Sequence, residues 1–225
     1  MPSAMKETYF YKQHKEALLT AALGAVYLIW FFFLERHVTN NYHIIHVALD
    51  DYIPFCEYFI IPYLLWFGYV LFFWIYFYKK ERVLSRKLTA FLFTGMFAAL
   101  LFCTIYPNGT DFRPVVDPGK NVCSALVYML YGADTPTNVL PSIHVYNSLA
   151  IHIAVMQSET LRKHKYVRFA SLLLCISICM ATLFLKQHSF VDVLAASVMA
   201  YAVYGAVYAP EAEPQAAQAE NERPL

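Results

Sequence analysis

Charge is scarce in this sequence. Of 225 residues only 15% are Asp, Glu, Lys or Arg, and the formal net charge is +1. Soluble domains carry about 25% charged residues, and without a basic field there is no electrostatic footprint for nucleic acid. Cysteine is sparse as well. The five residues Cys56, Cys103, Cys123, Cys175 and Cys179 match no zinc-site spacing and no disulfide scaffold, and read as small buried hydrophobes. No internal repeat is visible. What the chain has in excess is apolar surface: 59% hydrophobic residues, with 18 Phe, 18 Tyr and 3 Trp. A soluble protein of this size would be left with a large exposed apolar surface. The apolar residues fall in blocks separated by short charged stretches. These features exclude a soluble globule and a disordered chain, and they predict an integral membrane protein. It should be helical, because a segment in lipid must satisfy its own backbone hydrogen bonds.

A span takes about 20 mostly apolar residues. Six segments qualify: Ala17–Leu34, Phe59–Tyr78, Leu88–Ile105, Ile143–Gln157, Phe169–Leu185 and Ser189–Tyr208. The fourth is short and carries His144, Asn147, Ser148 and His152, and the sixth has Asp192 near its start. Polar residues in such segments predict walls of a wet cavity rather than lipid-facing surface. Six spans put both termini and the loops 79–87 and 158–168 on one side. All of the 17 Lys and Arg residues except Arg36, Arg113, Lys120 and Lys186 fall there, which makes it the cytoplasmic side. The expected fold is therefore all-α, an integral membrane six-helix bundle over 17–208. Residues 1–16 form a cytoplasmic N-terminal segment, and 209–225, rich in Ala, Glu, Pro and Gln, a disordered cytoplasmic tail. Neither a cleavable signal nor a C-terminal lipidation box is expected. Short interfacial helices are expected on the outer side, one within Asn40–Phe55 and one over Val122–Tyr131. The compact single-unit chain points to a bacterial inner (plasma) membrane.

Three unusual segments fall on the outer side: Tyr106 to Pro114, Leu140-Pro141-Ser142-Ile143-His144, and Lys186 to Asp192. In the third, His188 and Asp192 are four apart and share a helix face. A carboxylate beside an imidazole N–H fixes the tautomer and stabilises the imidazolium, leaving the other ring nitrogen as nucleophile or base. Taken alone, such a pair also serves merely to cap a span. In the second segment, Pro141 is a helix-start signal and Ser142 a cap. A helix N-terminus favours a phosphate, and His144 in the first turn can protonate a phosphate-ester oxygen. Arg113 is a bidentate phosphate partner in an extended loop. Two histidines, an Asp paired to one, a helix N-terminus and isolated cations together make a phosphate-transfer constellation.

With these residues the chain resembles the type 2 phosphatidic acid phosphatase superfamily, whose relatives include vanadium haloperoxidases. The resemblance covers about residues 88–208. The family's signatures are Lys-x6-Arg-Pro, Pro-Ser-Gly-His and Ser-Arg-x5-His-x3-Asp. This chain offers Arg113-Pro114, Pro141-Ser142-Ile143-His144 and His188-x3-Asp192. It departs from them in placing Tyr106 where the first Lys belongs, Ile143 for the Gly, and Ala181-Thr182 for Ser-Arg. Inositol phosphorylceramide synthase-like branches also lack parts of the set. The resemblance implies a metal-independent lipid phosphatase without a cofactor, acting on a phosphomonoester or pyrophosphate of a lipid at the outer face. It implies His188 as nucleophile, Asp192 as its orienting partner and His144 as acid and then base. Arg113, the backbone near Ser142, and Lys186 as replacement charge would hold the phosphate, with Thr182 and Tyr106 as supporting hydrogen-bonders. The alternatives are a lipid phosphotransferase on the same scaffold and a catalytically inactive relative. The substrate would be a phosphorylated lipid.

Other features read more simply. His43, His46 and Asp50 at i, i+3 and i+7 would share one face of a helix, which permits a metal site but suits the polar face of an amphipathic helix better. His152 reads as a satisfied core histidine. Aromatic runs such as Trp30-Phe31-Phe32-Phe33 read as lipid contact and interfacial anchoring.

Overall fold

The computed structural model describes residues 3–208, with side chains from residue 15 onward. Those residues are mostly helical. In chain order they form α1 (Ser3–His37), β1 (His43–Ile44), α2 (Ala48–Tyr52), a 3-10 turn (Glu57–Phe59), α3 (Ile60–Lys80) and α4 (Arg82–Ile105). There follow β2 (Asn108–Gly109), α5 (Val122–Ala133), α6 (Ile143–Gln157), a second 3-10 turn (Leu161–Lys163), α7 (Lys165–Phe184) and α8 (Phe190–Tyr208). The proposed tail at 209–225 lies outside the described residues.

Five helical stretches are long and apolar enough to cross a membrane: Lys15–His37, Glu57–Lys80, Arg82–Ile105, Lys165–Phe184 and Phe190–Tyr208. They present Leu28, Phe32, Leu65, Phe72, Leu173 and Val198 outward, as a bilayer requires of a membrane protein. The remaining apolar helix of the core, α6, has 15 residues, short of the roughly 20 that a span takes. It is surrounded by α3, α4, α7 and α8, and Val145, Tyr146, Ala150, Ile151, Ala154 and Val155 along it are buried. A helix so enclosed can carry polar groups without showing them to lipid. The helices α4 and α7 begin at Arg82 and Lys165 rather than at Leu88 and Phe169, so each runs past its apolar stretch into the basic connector.

The largest buried cluster runs through α3, α4, α6, α7 and α8, and a second packs α1 on α4 through Tyr27, Leu34, Val38, Leu100 and Cys103. Helices α4 and α6 approach closely. The Tyr146 ring stacks on Phe91 at 5.2 Å, and its hydroxyl donates to the Phe91 carbonyl at 2.8 Å. A Cβ on Gly95 would meet that ring at 2.0 Å, so this crossing requires glycine. At the opposite end of the helices from β1 and β2, Glu81 between α3 and α4 accepts hydrogen bonds from the hydroxyls of Ser158 and Thr160 and from the Glu159 amide at 3.1 Å. This ties the two basic connectors together.

Within the segment 40–55, where a short helix is expected, the helix is confined to five residues. His43 and Ile44 pair in parallel with Asn108 and Gly109, and only Ala48–Tyr52 is helical. A Cβ on Gly109 would lie 2.5 Å from the Pro136 carbonyl, so the absence of a side chain lets the two loops close on each other. His43, His46 and Asp50 consequently share no helix face. His43 stacks on Tyr106 at 4.2 Å, His46 Nε2 pairs with Asp51 at 2.8 Å, and Asp50 turns toward α8. Helix α5 does form over the second expected segment, capped by Asn121, whose side chain accepts from the Ser124 amide at 2.9 Å.

Gly95→Ala should destabilise the detergent-solubilised protein by at least about 1 kcal/mol through overpacking. Gly24→Ala, with nothing within 4 Å of the added methyl, should leave thermal unfolding unchanged or slightly raised.

Candidate active site

The site is assembled where α6 and α8 begin. Helix α7 ends in a turn in which the Gln187 and His188 amides both bond to the Thr182 carbonyl, at 3.0 and 3.1 Å, and Lys186 adopts a left-handed φ of 52°. Helix α8 then starts with a reciprocal cap: the Ser189 amide donates to Asp192 Oδ2 at 2.9 Å, and the Val191 amide donates to the Ser189 hydroxyl at 3.3 Å. This is the logic of a capping box, with the carboxylate three residues into the helix. The same Oδ2 pairs with His188 Nδ1 at 3.2 Å. Asp192 is fully buried, and as a carboxylate it accepts a hydrogen bond from Nδ1–H, the tautomer that leaves the lone pair on Nε2. The Asp192 carbonyl accepts the Ser142 amide at 3.2 Å, so the start of α6 rests directly on the start of α8.

A second carboxylate holds this junction from outside. Asp50 is buried, and it accepts the Ser189 hydroxyl at 2.6 Å and the Phe190 amide at 2.8 Å. Lys186 is drawn the same way: its ammonium donates to the carbonyls of Asp50, at 2.7 Å, and Ile53.

Helix α6 begins at Ser142, whose hydroxyl accepts from the Val145 amide at 3.5 Å. The preceding Leu140–Pro141 peptide is cis. Buried Asn108 fixes this approach, its side-chain carbonyl accepting the amides of Val139 and Leu140 at 2.9 and 2.8 Å. His144, in the first turn, lies against the rings of Tyr63 (4.5 Å) and Trp66 (4.4 Å) of α3, with its centroid 6.0 Å from that of His188.

Arg113 comes from the loop after β2. It donates to the carbonyls of Asp134 (2.7 Å) and Thr135 (3.1 Å) and to the Gln187 side chain, and lies 4.8 Å over the Tyr131 ring. Burial lowers its pKa, while nearby Asp134 works the other way. Burial pushes the Asp134 carboxyl up to about 6, against the pull of Arg113. Arg113, His144 and His188 line one cavity of about 380 Å³, together with Gln187 and Asp134. Its rim includes Leu28 and Phe32 of α1 and Phe67 of α3, each exposed by half or more. The cavity thus adjoins apolar surface on one side and polar loops on the other. Such a geometry suits a molecule with an apolar tail and an anionic group.

Four of the six residues singled out in the sequence therefore meet: Arg113, His144 and His188 at the cavity, and Asp192 directly behind His188. The other two do not line it. Ser142 is fully buried and serves as the cap of α6. Lys186 faces the wrong way to supply replacement charge, because the left-handed turn directs its ammonium to the 50–53 carbonyls. Thr182 is buried and donates to the Cys179 carbonyl, and Tyr106 stacks on His43. His152 is satisfied by the Ser171 hydroxyl at 3.1 Å, two turns from His144. Three participants have roles that escape sequence reasoning. Gln187 stands next to His188 in the chain but carries no motif. Asp134 lies in an ordinary loop, and Asp50 is nearly 140 residues from the helix that it caps. Among the described residues no group of three His, Cys, Asp or Glu side chains is placed to hold a metal ion.

Comparison with protein-family models, with curated proteins and with solved structures finds no match to the chain.

Asp50→Ala leaves the Ser189 hydroxyl and the Phe190 amide without an acceptor, and should cost about 1–3 kcal/mol of stability. Faster hydrogen exchange at 189–190 should accompany the loss. Asp51→Ala, which removes only an exposed contact with His46, should stay within about 0.5 kcal/mol.

Proposed function

We propose that the protein is a membrane-embedded enzyme that cleaves a phosphate ester of a lipid through a phosphohistidine on His188, as a lipid phosphatase does. The observation that carries this reading is the His188–Asp192 pair opening into the same cavity as His144 and Arg113. In the proposed reaction His188 Nε2 attacks phosphorus in line, and the bond from phosphorus to the lipid oxygen breaks. His144, protonated, gives its proton to the departing alkoxide. Asp192 balances the charge that develops on the His188 ring, and Arg113 holds the non-bridging oxygens. Neutral His144 then takes a proton from water as that water attacks the phosphohistidine. The P–N bond breaks and His188 is restored.

The chain would sit as a six-span bundle with α6 as the fourth span. Its basic connectors and both termini would be cytoplasmic, and the cavity would lie toward the outer face of a bacterial inner membrane. Lipid tails would enter past Leu28, Phe32 and Phe67. Transfer to an alcohol in place of water is a second reading, favoured by Thr135, Thr137 and Asn138 in the cavity wall, which offer hydrogen-bonding groups to a hydroxylated acceptor.

Incubation with lipid labelled at phosphorus, followed by an alkaline quench, should leave label on histidine in the wild type and none in His188→Ala. His144→Ala should lower kcat by about 10²–10⁴-fold. Label that persists in His188→Ala, or turnover abolished by a chelator, contradicts this chemistry.

A further inference from the structure

We infer that the cavity selects a phosphate bearing one negative charge, a lipid phosphodiester, over the dianionic phosphate of a monoester. The inference rests on the phosphohistidine reading above and moves its substrate from the monoester of a phosphatase to a diester.

The first ground is the fixed charge of the walls. Arg113 is the one Lys or Arg among the described residues that line the cavity, and two carboxylates, Glu35 and Asp134, line it with the arginine. The Asp134 carboxylate oxygen lies 3.8 Å from the Arg113 guanidinium. The Asp134 pKa, raised by burial to about 6, still leaves it mainly ionised at neutral pH. Glu35 accepts the Thr135 amide at 3.2 Å, the Thr135 hydroxyl at 2.6 Å and the Asn138 side-chain amide at 3.1 Å, all neutral donors. Neighbouring outer cations are engaged elsewhere: Lys186 on backbone carbonyls, and Lys120 on Glu57 at 2.5 Å. One fixed positive charge thus faces two negative ones before any phosphate arrives, and even with the proton that His144 carries in the proposed reaction the walls hold no net positive charge. A second negative charge on the ligand would meet no excess of positive charge. In a poorly solvated cavity, desolvation and repulsion rise steeply with charge.

The second ground is the kind of donor provided. Gln187 is 1% exposed and lines the cavity, and its carbonyl oxygen accepts from Arg113. Its Nε2 has no hydrogen-bond partner among the described residues, and neither does Arg113 Nε. One cationic and one neutral N–H group are thus left without an acceptor within the described residues, and a buried donor calls for one. A diester, whose two non-bridging oxygens share a single charge, would offer such acceptors without bringing a second charge. The head group would then reach the Glu35 and Asp134 side of the cavity, which favours hydroxyl or ammonium hydrogens. Cleavage follows the same course: His188 bonds to phosphorus and the lipid alkoxide leaves with the His144 proton. Water then breaks the P–N bond and the head group departs as its phosphate monoester.

The test uses the full chain in detergent micelles, with two lipids of identical acyl chains, phosphatidylglycerol and phosphatidate. The pH is 8, above the second ionisation of a phosphate monoester at about 6. Equilibrium binding is measured on His188→Ala, so that chemistry does not intervene. Phosphatidylglycerol should bind at least about tenfold more tightly, and Asp134→Asn in the same background should narrow the ratio by improving phosphatidate binding. Equal or tighter binding of phosphatidate overturns the inference, as does a ratio that Asp134→Asn leaves unchanged. The comparison of the two lipids needs no Asp134 variant, so it stands even if that variant fails to fold. Turnover that survives in His188→Ala, with the diester preference intact, would sink the phosphohistidine reading and leave this one standing.

Discussion

One carboxylate fastens the site together. Asp192 Oδ2 takes the Ser189 amide and the His188 ring, and the Asp192 carbonyl takes the Ser142 amide. The first two contacts start α8 and orient the imidazole. The third sets the beginning of α6 against the beginning of α8, and so brings the His144 ring within 6.0 Å of the His188 ring. Removing an acceptor this deeply buried strands its donors, which costs far more than the net gain of an ordinary hydrogen bond. Asp50 reinforces the junction from the outer loop, holding the next amide of α8 and drawing Lys186 away from the cavity.

The central position of α6 follows from the same constraint. A helix that starts with a buried cap and carries polar side chains is poorly suited to face lipid. Enclosed by α3, α4, α7 and α8, it turns small and branched residues to its neighbours and lets Tyr146 fill the space that Gly95 leaves. The long, apolar helices around it take over the contact with lipid, and the aromatic residues of α3 serve two ends. Trp66 and Tyr63 pack on His144, while Phe67, next in the chain, stands at the exposed rim. Tail and phosphate, in the proposed reading, would thus be met by adjacent residues of one helix.

The electrostatics of the cavity are economical. Arg113 is clamped by carbonyls, an amide oxygen and an aromatic face, so its guanidinium is directed before a ligand arrives and little ordering is left for binding. The cost of burying it is offset in part by Asp134, and that offset leaves the cavity poor in net positive charge. A site built in this way depends on placement more than on accumulated charge.

The membrane setting, the helical class and the motif residues Arg113, His144, His188 and Asp192 were legible in the linear order, because hydropathy and an i, i+4 spacing are local properties. The short cap at Ser142 was legible for the same reason. The direction of Lys186 was not, since a left-handed turn and the carbonyls of a loop more than 130 residues away decide it. Nor was the break of the 40–55 segment into strand and helix, which the pairing with Asn108 and Gly109 imposes. Gln187 and Asp134 carry no local pattern at all, the i, i+3, i+7 pattern that includes Asp50 points elsewhere, and the roles of all three arise only when distant loops close. Sequence alone therefore determined which parts avoid water and which side chains are candidates for the site. Tertiary structure decided which of them meet, because hydrogen bonds between remote loops, unlike hydropathy, have no periodicity along the chain.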